Sequence, residues 1–287
     1  MASNYKESTL QLLESSAIAG IVTRFLLHPI DTCKVSIQVG RSTESPRGVI
    51  GTATHIIRSE GVRGFYRGFL PALTGTIPGV CLYFGSYQFS KSRLEKLTES
   101  NGHVINFTAG FVAEMVSCVV WVPTDVVKER AQAGASSVSS VQPAASHIRA
   151  IIKHEGIKGL YRGYGATLAS FGPFSALYFM FVESLKTSAM TFRSTSELSF
   201  PDLVGVCALA GGGAAFCTAP MDLVKVRMQV ERASQSTYSG FLSTLSKTFR
   251  SEGIRGMFRG GGSRVWFAAP NTAITMAVME SIKYRLA

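Results

Sequence analysis

The sequence predicts an all-α membrane protein with six tilted transmembrane helices, arranged as three tandem two-helix repeats with pseudo-threefold symmetry. Two observations predict this fold. A ten-residue string that begins at Pro29 recurs at Pro123 and Pro220, so the prolines lie 94 and 97 positions apart. A mean hydropathy of +0.21 with only 16% charged residues is also too apolar for most soluble proteins of 287 residues.

We predict one domain, residues 1–287, with repeats at 9–100, 101–195 and 196–287. Each repeat reads as a long helix, a polar loop, a short amphipathic surface helix and a second long helix. No stretch of 18 residues is wholly apolar, as expected for helices that line a water-filled cavity and need only one lipid-facing side. The six long helices are predicted near Leu10–Val39, Pro71–Leu97, His103–Ala133, Ala166–Met190, Phe200–Gln229 and Ser263–Leu286. The short helices are predicted at Val49–Ser59, in a segment that ends at His154, and at Tyr238–Ser251.

The recurring string carries charge. Each copy has an acid two residues after the proline, a lysine five residues after it and a glutamine nine residues after it. These are Asp31, Lys34 and Gln38, then Asp125, Lys128 and Gln132, then Asp222, Lys225 and Gln229. An acid and a lysine three residues apart could pair within one helix, but the threefold recurrence favours pairing of each acid with the lysine of the next repeat. The sequence therefore predicts a closed ring of ion pairs, braced from below by the glutamines.

Composition narrows the classes of function. The net charge of +11 is compatible with nucleic acid, anionic lipid or an anionic solute. No pattern of a nucleic-acid-binding module is present, and the basic residues lie at repeated helix ends, which favours lipid headgroups and a charged pore. No nucleophile-base pair, metal cluster or phosphate loop indicates an enzyme or a cofactor. The amino-terminal stretch lacks an arginine-rich amphipathic run, so we expect no cleaved presequence. The five dispersed cysteines, which we interpret as reduced core residues, are Cys33, Cys81, Cys118, Cys207 and Cys217.

The repeated strings resemble the signature of the mitochondrial carrier family. That signature joins P-x-[DE]-x-x-[KR] to an acid-glycine pair and then to an aromatic-basic-glycine triplet. The triplets here are Tyr66-Arg67-Gly68, Tyr161-Arg162-Gly163 and Phe258-Arg259-Gly260. The resemblance implies a monomeric, multi-pass carrier of the mitochondrial inner membrane that transports a small metabolite by alternating access. It also implies that the ring is a matrix-side gate, and that the helices opened by the triplet glycines bind cardiolipin.

A second set of polar residues lies 20 and 23 positions after each triplet glycine, and the resemblance implies that it forms an outer gate. Its members are Gln88 and Lys91, Glu183 and Lys186, and Glu280 and Lys283. Gln88 replaces an expected acid, so this gate can form at most two ion pairs and one Lys-Gln hydrogen bond, and we expect it to open more easily. The alternative interpretation is that these lysines reach the lipid headgroups at the helix ends.

The solute positions implied by the resemblance are Gly75, Ser170 with Phe171, and Phe267. They include no basic residue, which disfavours nucleotides and dicarboxylates. Arg24 and Glu114 are unmatched charges at membrane depth, and an amino acid zwitterion would satisfy both.

Three classes of function stay open. The stretches VPTDVVKERAQ and YRGYGATLASFGPFSALYF, with Glu114, resemble the S-adenosylmethionine carriers, whose adenine could stack on Phe171 or Phe267. Arg24 and Ser170-Phe171 depart from that branch. The last predicted helix resembles the last helix of the mitoferrins, which transport metal ions. If this chain did the same, the candidate metal contacts would be His28, Met115 and Glu114. A non-transporting scaffold or lipid-binding protein is the third class, although two gates argue for transport, in the form of either uniport or exchange.

Overall fold

The computed structural model describes residues 2–40, 48–97, 102–134, 144–195, 198–231, 238 and 240–286. Over these ranges the chain forms helices and no strands, which confirms the predicted all-α fold. The first repeat contains α1 (Ala2–Val39), α2 (Val49–Glu60), a 3-10 turn (Val62–Tyr66), α3 (Phe69–Thr74) and α4 (Thr76–Leu97). The second contains α5 (Gly102–Gln132), α6 (Ala144–Glu155), α7 (Ile157–Leu160) and α8 (Tyr164–Arg193). The third contains α9 (Phe200–Cys217), α10 (Ala219–Val230), α11 (Phe241–Met257) and α12 (Gly261–Leu286).

The long helices close into a ring around a central axis. Helix α1 packs against α4 and α12, α4 packs against α5, α5 against α8, α8 against α9, and α9 against α12. Four helical segments of the described chain are long and apolar enough to cross a membrane: Val62–Leu97, Val104–Gln132, Ile157–Arg193 and Phe200–Cys217. Helices α1 and α12 fall outside this set, and both carry buried charged side chains, such as Lys34 and Arg264.

Two predicted long helices are interrupted in the structure. The predicted helix Phe200–Gln229 divides into α9 and α10 at Thr218, whose φ of −95° and ψ of 10° are not helical. Pro220 lacks a backbone N–H to continue the hydrogen-bond ladder, and the Thr218 carbonyl also accepts a hydrogen bond from Arg264. The helix predicted to begin at Pro71 begins at Phe69 instead and is divided near Gly75. Pro29 and Pro123, by contrast, lie inside continuous helices.

The triplet glycines adopt the left-handed backbone conformation immediately before the second long helix of each repeat. Their φ values are +69° at Gly68, +79° at Gly163 and +78° at Gly260. A Cβ atom at Gly68 would also lie 2.7 Å from the Lys128 carbonyl oxygen. These positions need glycine because the backbone both turns and approaches its neighbour closely.

Candidate functional site: a polar cavity above a ring of ion pairs

Three ion pairs join the three repeats where α1, α5 and α10 converge. Lys128 Nζ lies 2.8 Å from Asp31 Oδ2, Lys225 Nζ lies 2.9 Å from Asp125 Oδ2, and Lys34 Nζ lies 2.9 Å from Asp222 Oδ2. Each acid therefore meets the lysine of the following repeat, as the sequence pattern predicts. The side chains of all six residues are at most 17% exposed, so the charges depend on each other for stabilisation. Asp222 has a further cationic neighbour, since Arg264 Nε lies 3.6 Å from its Oδ2.

The three glutamines are fully buried just below the ring, and they differ in what they contact. Gln38 Nε2 donates to Asp222 Oδ2 at 2.9 Å. Gln132 Nε2 lies 3.4 Å from Asp31 Oδ2 and donates to Thr32 Oγ1 at 3.1 Å. Gln229 Nε2 donates instead to Thr167 Oγ1 at 3.3 Å, because α8 lies beside α10 there. Two of the glutamines thus bond to acids of the ring, while the third links α10 to α8.

Ion pairs outside the ring connect the surface helices to the bundle. Glu155 accepts hydrogen bonds from Arg130, and Glu252 accepts them from Arg227, so α6 and α11 are tied to α5 and α10. The hydrogen bonds from Arg227 lower the pKa of the Glu252 carboxyl below its usual value. In the first repeat Ser36 occupies the position of these arginines.

The acid of the first repeat is bound differently as a result. Glu60 pairs with the triplet arginine Arg67 at 2.7 Å. The triplet arginine of the second repeat, Arg162, pairs with Glu231 at the end of α10. The acid and the triplet arginine thus pair with each other in the first repeat, while in the second each pairs with a different residue.

A cavity of about 380 Å³ lies above the ring, which closes it at one end. Its lining comes from α1, α4, α5, α10 and α12. Besides the ring residues, the lining side chains include Thr23, Arg24, His28, Thr76, Val80, Trp121, Glu129, Phe267, Asn271 and Thr275. The size is within the usual range of small-molecule sites, about 300–1,000 Å³. The cavity is unusually rich in charge for such a site.

The structure brings only part of the predicted solute set to this cavity. Arg24 lines it and lies over the Trp121 ring, 5.1 Å from the ring centroid. Phe267 also lines it, with Lys34 Nζ 5.6 Å from its centroid. Gly75 instead packs against Thr124, and Ser170 donates to the carbonyls of Ala166 and Met221 between α8 and α10. These two residues serve helix packing in this conformation.

Glu114 and Phe171 lie outside the residues that line this cavity. Glu114 Oε1 accepts a hydrogen bond from Cys118 Sγ at 3.5 Å. Glu114 stands seven residues before Trp121, so the two share a face of α5 about 10 Å apart. A role for Glu114 in solute binding stays a prediction.

Among the described outer residues, no ion pair joins one repeat to another in this conformation. Lys91 lies 4.0 Å from Glu95 within α4 and 6.0 Å from the Tyr87 ring centroid. Glu183 is exposed and Lys186 half-buried, and no ion pair joins them among the described side chains. The side chains of Glu280 and Lys283 lie outside the described part of the chain. That these residues form a gate stays a prediction.

Trp121 and Glu129 are among the cavity residues that sequence reasoning missed. Trp121 precedes the recurring proline by two positions, and its ring packs against Gly79, where a Cβ atom would lie 2.5 Å from it. Glu129 follows Lys128 in α5 and is 3% exposed. The repeat comparison could have shown Glu129, because the equivalent residues are Val35 and Val226. Within the described residues no group of three His, Cys, Asp or Glu side chains has the geometry of a metal site.

Helices that enclose a charged cavity, with ion pairs between repeats at one end, define a membrane carrier built from three repeats. A family model described as "Mitochondrial carrier protein" matches residues 5–97, 99–192 and 196–287. The chain therefore belongs to the mitochondrial carrier family, whose members transport metabolites.

Several named proteins are similar along nearly the whole chain. "Mitochondrial substrate carrier family protein E" of Dictyostelium discoideum is 33% identical, covering 98% of this chain and 97% of that protein. The "Mitochondrial S-adenosylmethionine carrier protein" of Danio rerio is 33% identical, covering 98% of this chain and 98% of that protein. The protein of that name from Mus musculus is 36% identical, covering 86% of this chain and 84% of its own.

Proposed function

We propose that this carrier moves a solute with an amino acid group, of the S-adenosylmethionine type, across the mitochondrial inner membrane. The observation that carries the proposal is the cavity itself, in which a guanidinium and aromatic rings lie above a closed ring of ion pairs. The similarity to two S-adenosylmethionine carriers supports this solute over others.

The chemistry of the cavity suits the parts of such a solute. Arg24 offers a guanidinium to a carboxylate, and a hydrogen bond to a charged group contributes about 1.5–3 kcal/mol. Trp121 and Phe267 offer faces for an aromatic base, where stacking contributes about 1–3 kcal/mol per base. Glu114, on the same face of α5 as Trp121, supplies a negative charge for the ammonium group nearer the open end. Phe171, Gly75 and Ser170 would join the site only after the helices move.

Alternating access would use the ring as the matrix-side gate. Each lysine lies on a helix that contains the recurring proline, and we expect a tilt of these helices to separate the pairs without unfolding them. The outer residues, with Gln88 in place of an acid, would close the opposite end when the ring opens. Solute contacts that strengthen during this change supply the free energy for breaking the ion pairs. Inner-membrane lipids, with cardiolipin at the triplet glycines, would hold a monomeric carrier.

The test offers S-adenosylmethionine and ferrous iron to the same proteoliposomes. We expect S-adenosylmethionine uptake by the wild type, and a loss of about tenfold to a hundredfold in apparent affinity for Arg24→Gln. Arg58→Gln is the matched control, because Arg58 is exposed on α2. Phe267→Leu should weaken S-adenosylmethionine more than a free amino acid.

Each other outcome has a distinct meaning. Iron uptake without S-adenosylmethionine uptake would overturn the solute and favour the metal alternative. Equal losses of apparent affinity in Arg24→Gln and Arg58→Gln would show that Arg24 does not bind the solute. Uptake of neither compound, with no ligand that raises the melting temperature, would favour a scaffold.

A further inference from the structure

An acid that the other repeats lack is buried at the level of the ring. Glu129 lines the cavity and is 3% exposed, and its Oε2 atom is fully enclosed with no hydrogen-bond partner in the described part of the chain. The equivalent positions hold Val35 and Val226, both 0% exposed. Glu129 is therefore a specific property of the second repeat and no part of the threefold pattern.

The groups around Glu129 are already committed to other partners. The charged groups that interact with it are Lys34 from α1, Asp125 and Lys128 from α5, and Lys225 from α10. Each of these lysines has its Nζ atom 2.8 to 2.9 Å from the carboxylate oxygen of an aspartate. The other charged or titratable groups that line the cavity or contact the ring are Arg24, His28, Asp31, Asp222 and Arg264. Glu129 is thus a fourth acid in a layer that contains three paired lysines.

An ionised carboxylate in this place is unfavourable. It can only accept hydrogen bonds, yet the enclosed oxygen of Glu129 receives none from the described residues. Burial also removes the water that would otherwise stabilise the charge. A proton on the carboxyl removes the charge, and a neutral carboxyl costs much less to bury than a carboxylate.

We propose that Glu129 binds a proton from the cavity while the ring is closed and releases it to water on the opposite side when the ring opens. Opening separates Lys128 and Lys225 from their aspartates and admits water, and both changes favour the carboxylate. The proton enters from one aqueous phase and leaves into the other, so one proton accompanies one conformational change. This inference deepens the proposed transport cycle and depends on its alternating access.

The first measurement needs no solute. The melting temperature of the purified protein is compared at about pH 6 and about pH 8, a range in which an unfolded glutamate is ionised. A proton held only by the folded, closed form makes stability fall as pH rises. We expect Glu129→Gln to remove a decrease of about 2 to 4 °C per pH unit that the wild type shows. Glu14→Gln, on an exposed side chain of α1, should keep the wild-type slope.

His28 requires a separate control, because it lines the same cavity and an unperturbed histidine changes charge between about pH 5 and 8. The melting measurements are repeated in proteins that also carry His28→Asn. There too, Glu129→Gln should reduce the decrease of melting temperature with pH. Glu129→Asp keeps a titratable group and should keep a slope. Equal slopes for the wild type and Glu129→Gln, or a difference that disappears with His28, would overturn the proposal.

The second measurement tests coupling. S-adenosylmethionine uptake is measured in proteoliposomes that contain a trapped pH indicator, once with an acidic external medium and once without a pH gradient. We expect the gradient to accelerate uptake severalfold in the wild type and not in Glu129→Gln, and internal acidification to follow wild-type uptake. Equal responses of the two proteins would overturn the proton's role in transport. If no variant takes up S-adenosylmethionine, the proposed solute fails, while the pH dependence of melting still decides whether Glu129 holds a proton.

Discussion

Removal of one lysine from the ring should destabilise the ring-closed conformation more than any exposed substitution. In Lys128→Ala, Asp31 keeps a buried charge whose side chain is 7% exposed and whose partner at 2.8 Å is gone. Gln132, at 3.4 Å, is a poor replacement for an ammonium. Breaking a buried pair in this way costs about 3–5 kcal/mol. The population of the ring-closed state should therefore fall about a hundredfold to several thousandfold relative to the open state.

Two assays check this expectation. Uptake into proteoliposomes should be nearly abolished, since a carrier that rarely closes one end cannot complete its cycle. The melting temperature of the purified protein should fall by several degrees. Lys158→Ala is the matched control, because Lys158 is exposed on α7. Exchange of the two charges, Asp31→Lys with Lys128→Asp, should restore part of both properties. Uptake and melting that are unchanged in Lys128→Ala would refute the reasoning.

Three further predictions follow from other parts of the chain. Gln88→Glu supplies the missing acid of the outer set, so solute exchange should slow and melting should rise; a faster rate at unchanged stability would count against this assignment. Glu252→Gln should cost about 1 kcal/mol at neutral pH. Because Arg227 lowers the pKa of Glu252, that difference is present above about pH 4.3 and should vanish as pH falls further. Gly68→Ala should lower stability by about 1–3 kcal/mol in chemical denaturation, because φ is +69° there. Gly165→Ala should leave stability nearly unchanged, because Gly165 is helical and a Cβ atom there would meet no atom of another element within 4 Å.

The architecture and the pairing in the ring could be predicted from the sequence because both follow from threefold recurrence. Asp31, Asp125 and Asp222 are equivalent, so an arrangement that satisfies one satisfies all. Features that break the symmetry could not be predicted in this way. Pro29 and Pro123 leave their helices continuous, whereas the chain breaks before Pro220, where Arg264 binds the Thr218 carbonyl.

The lining of the cavity was predicted less well for a related reason. Counting from a motif gives the position along a helix, but not the rotation of that helix around its axis. Gly75 therefore falls against Thr124, while Thr76, one residue later, lines the cavity. A pattern defined by recurrence does not include Glu129, because the equivalent positions of the other repeats hold Val35 and Val226.

The cyclic pairing also sets an order for biogenesis. In each repeat the acid pairs with one neighbouring repeat and the lysine pairs with the other. Loss of one repeat would therefore leave one ion pair intact and two charged residues without their partners. Gln38 and its partner Asp222 are separated by 184 positions, so the first repeat must wait for the third before its buried charges are satisfied. Closing such distant contacts is slow. A newly made chain should therefore pass through a stage in which α1 is already inserted while Lys34 is still unpaired, and a chaperone or lipid that shields this lysine would favour correct assembly.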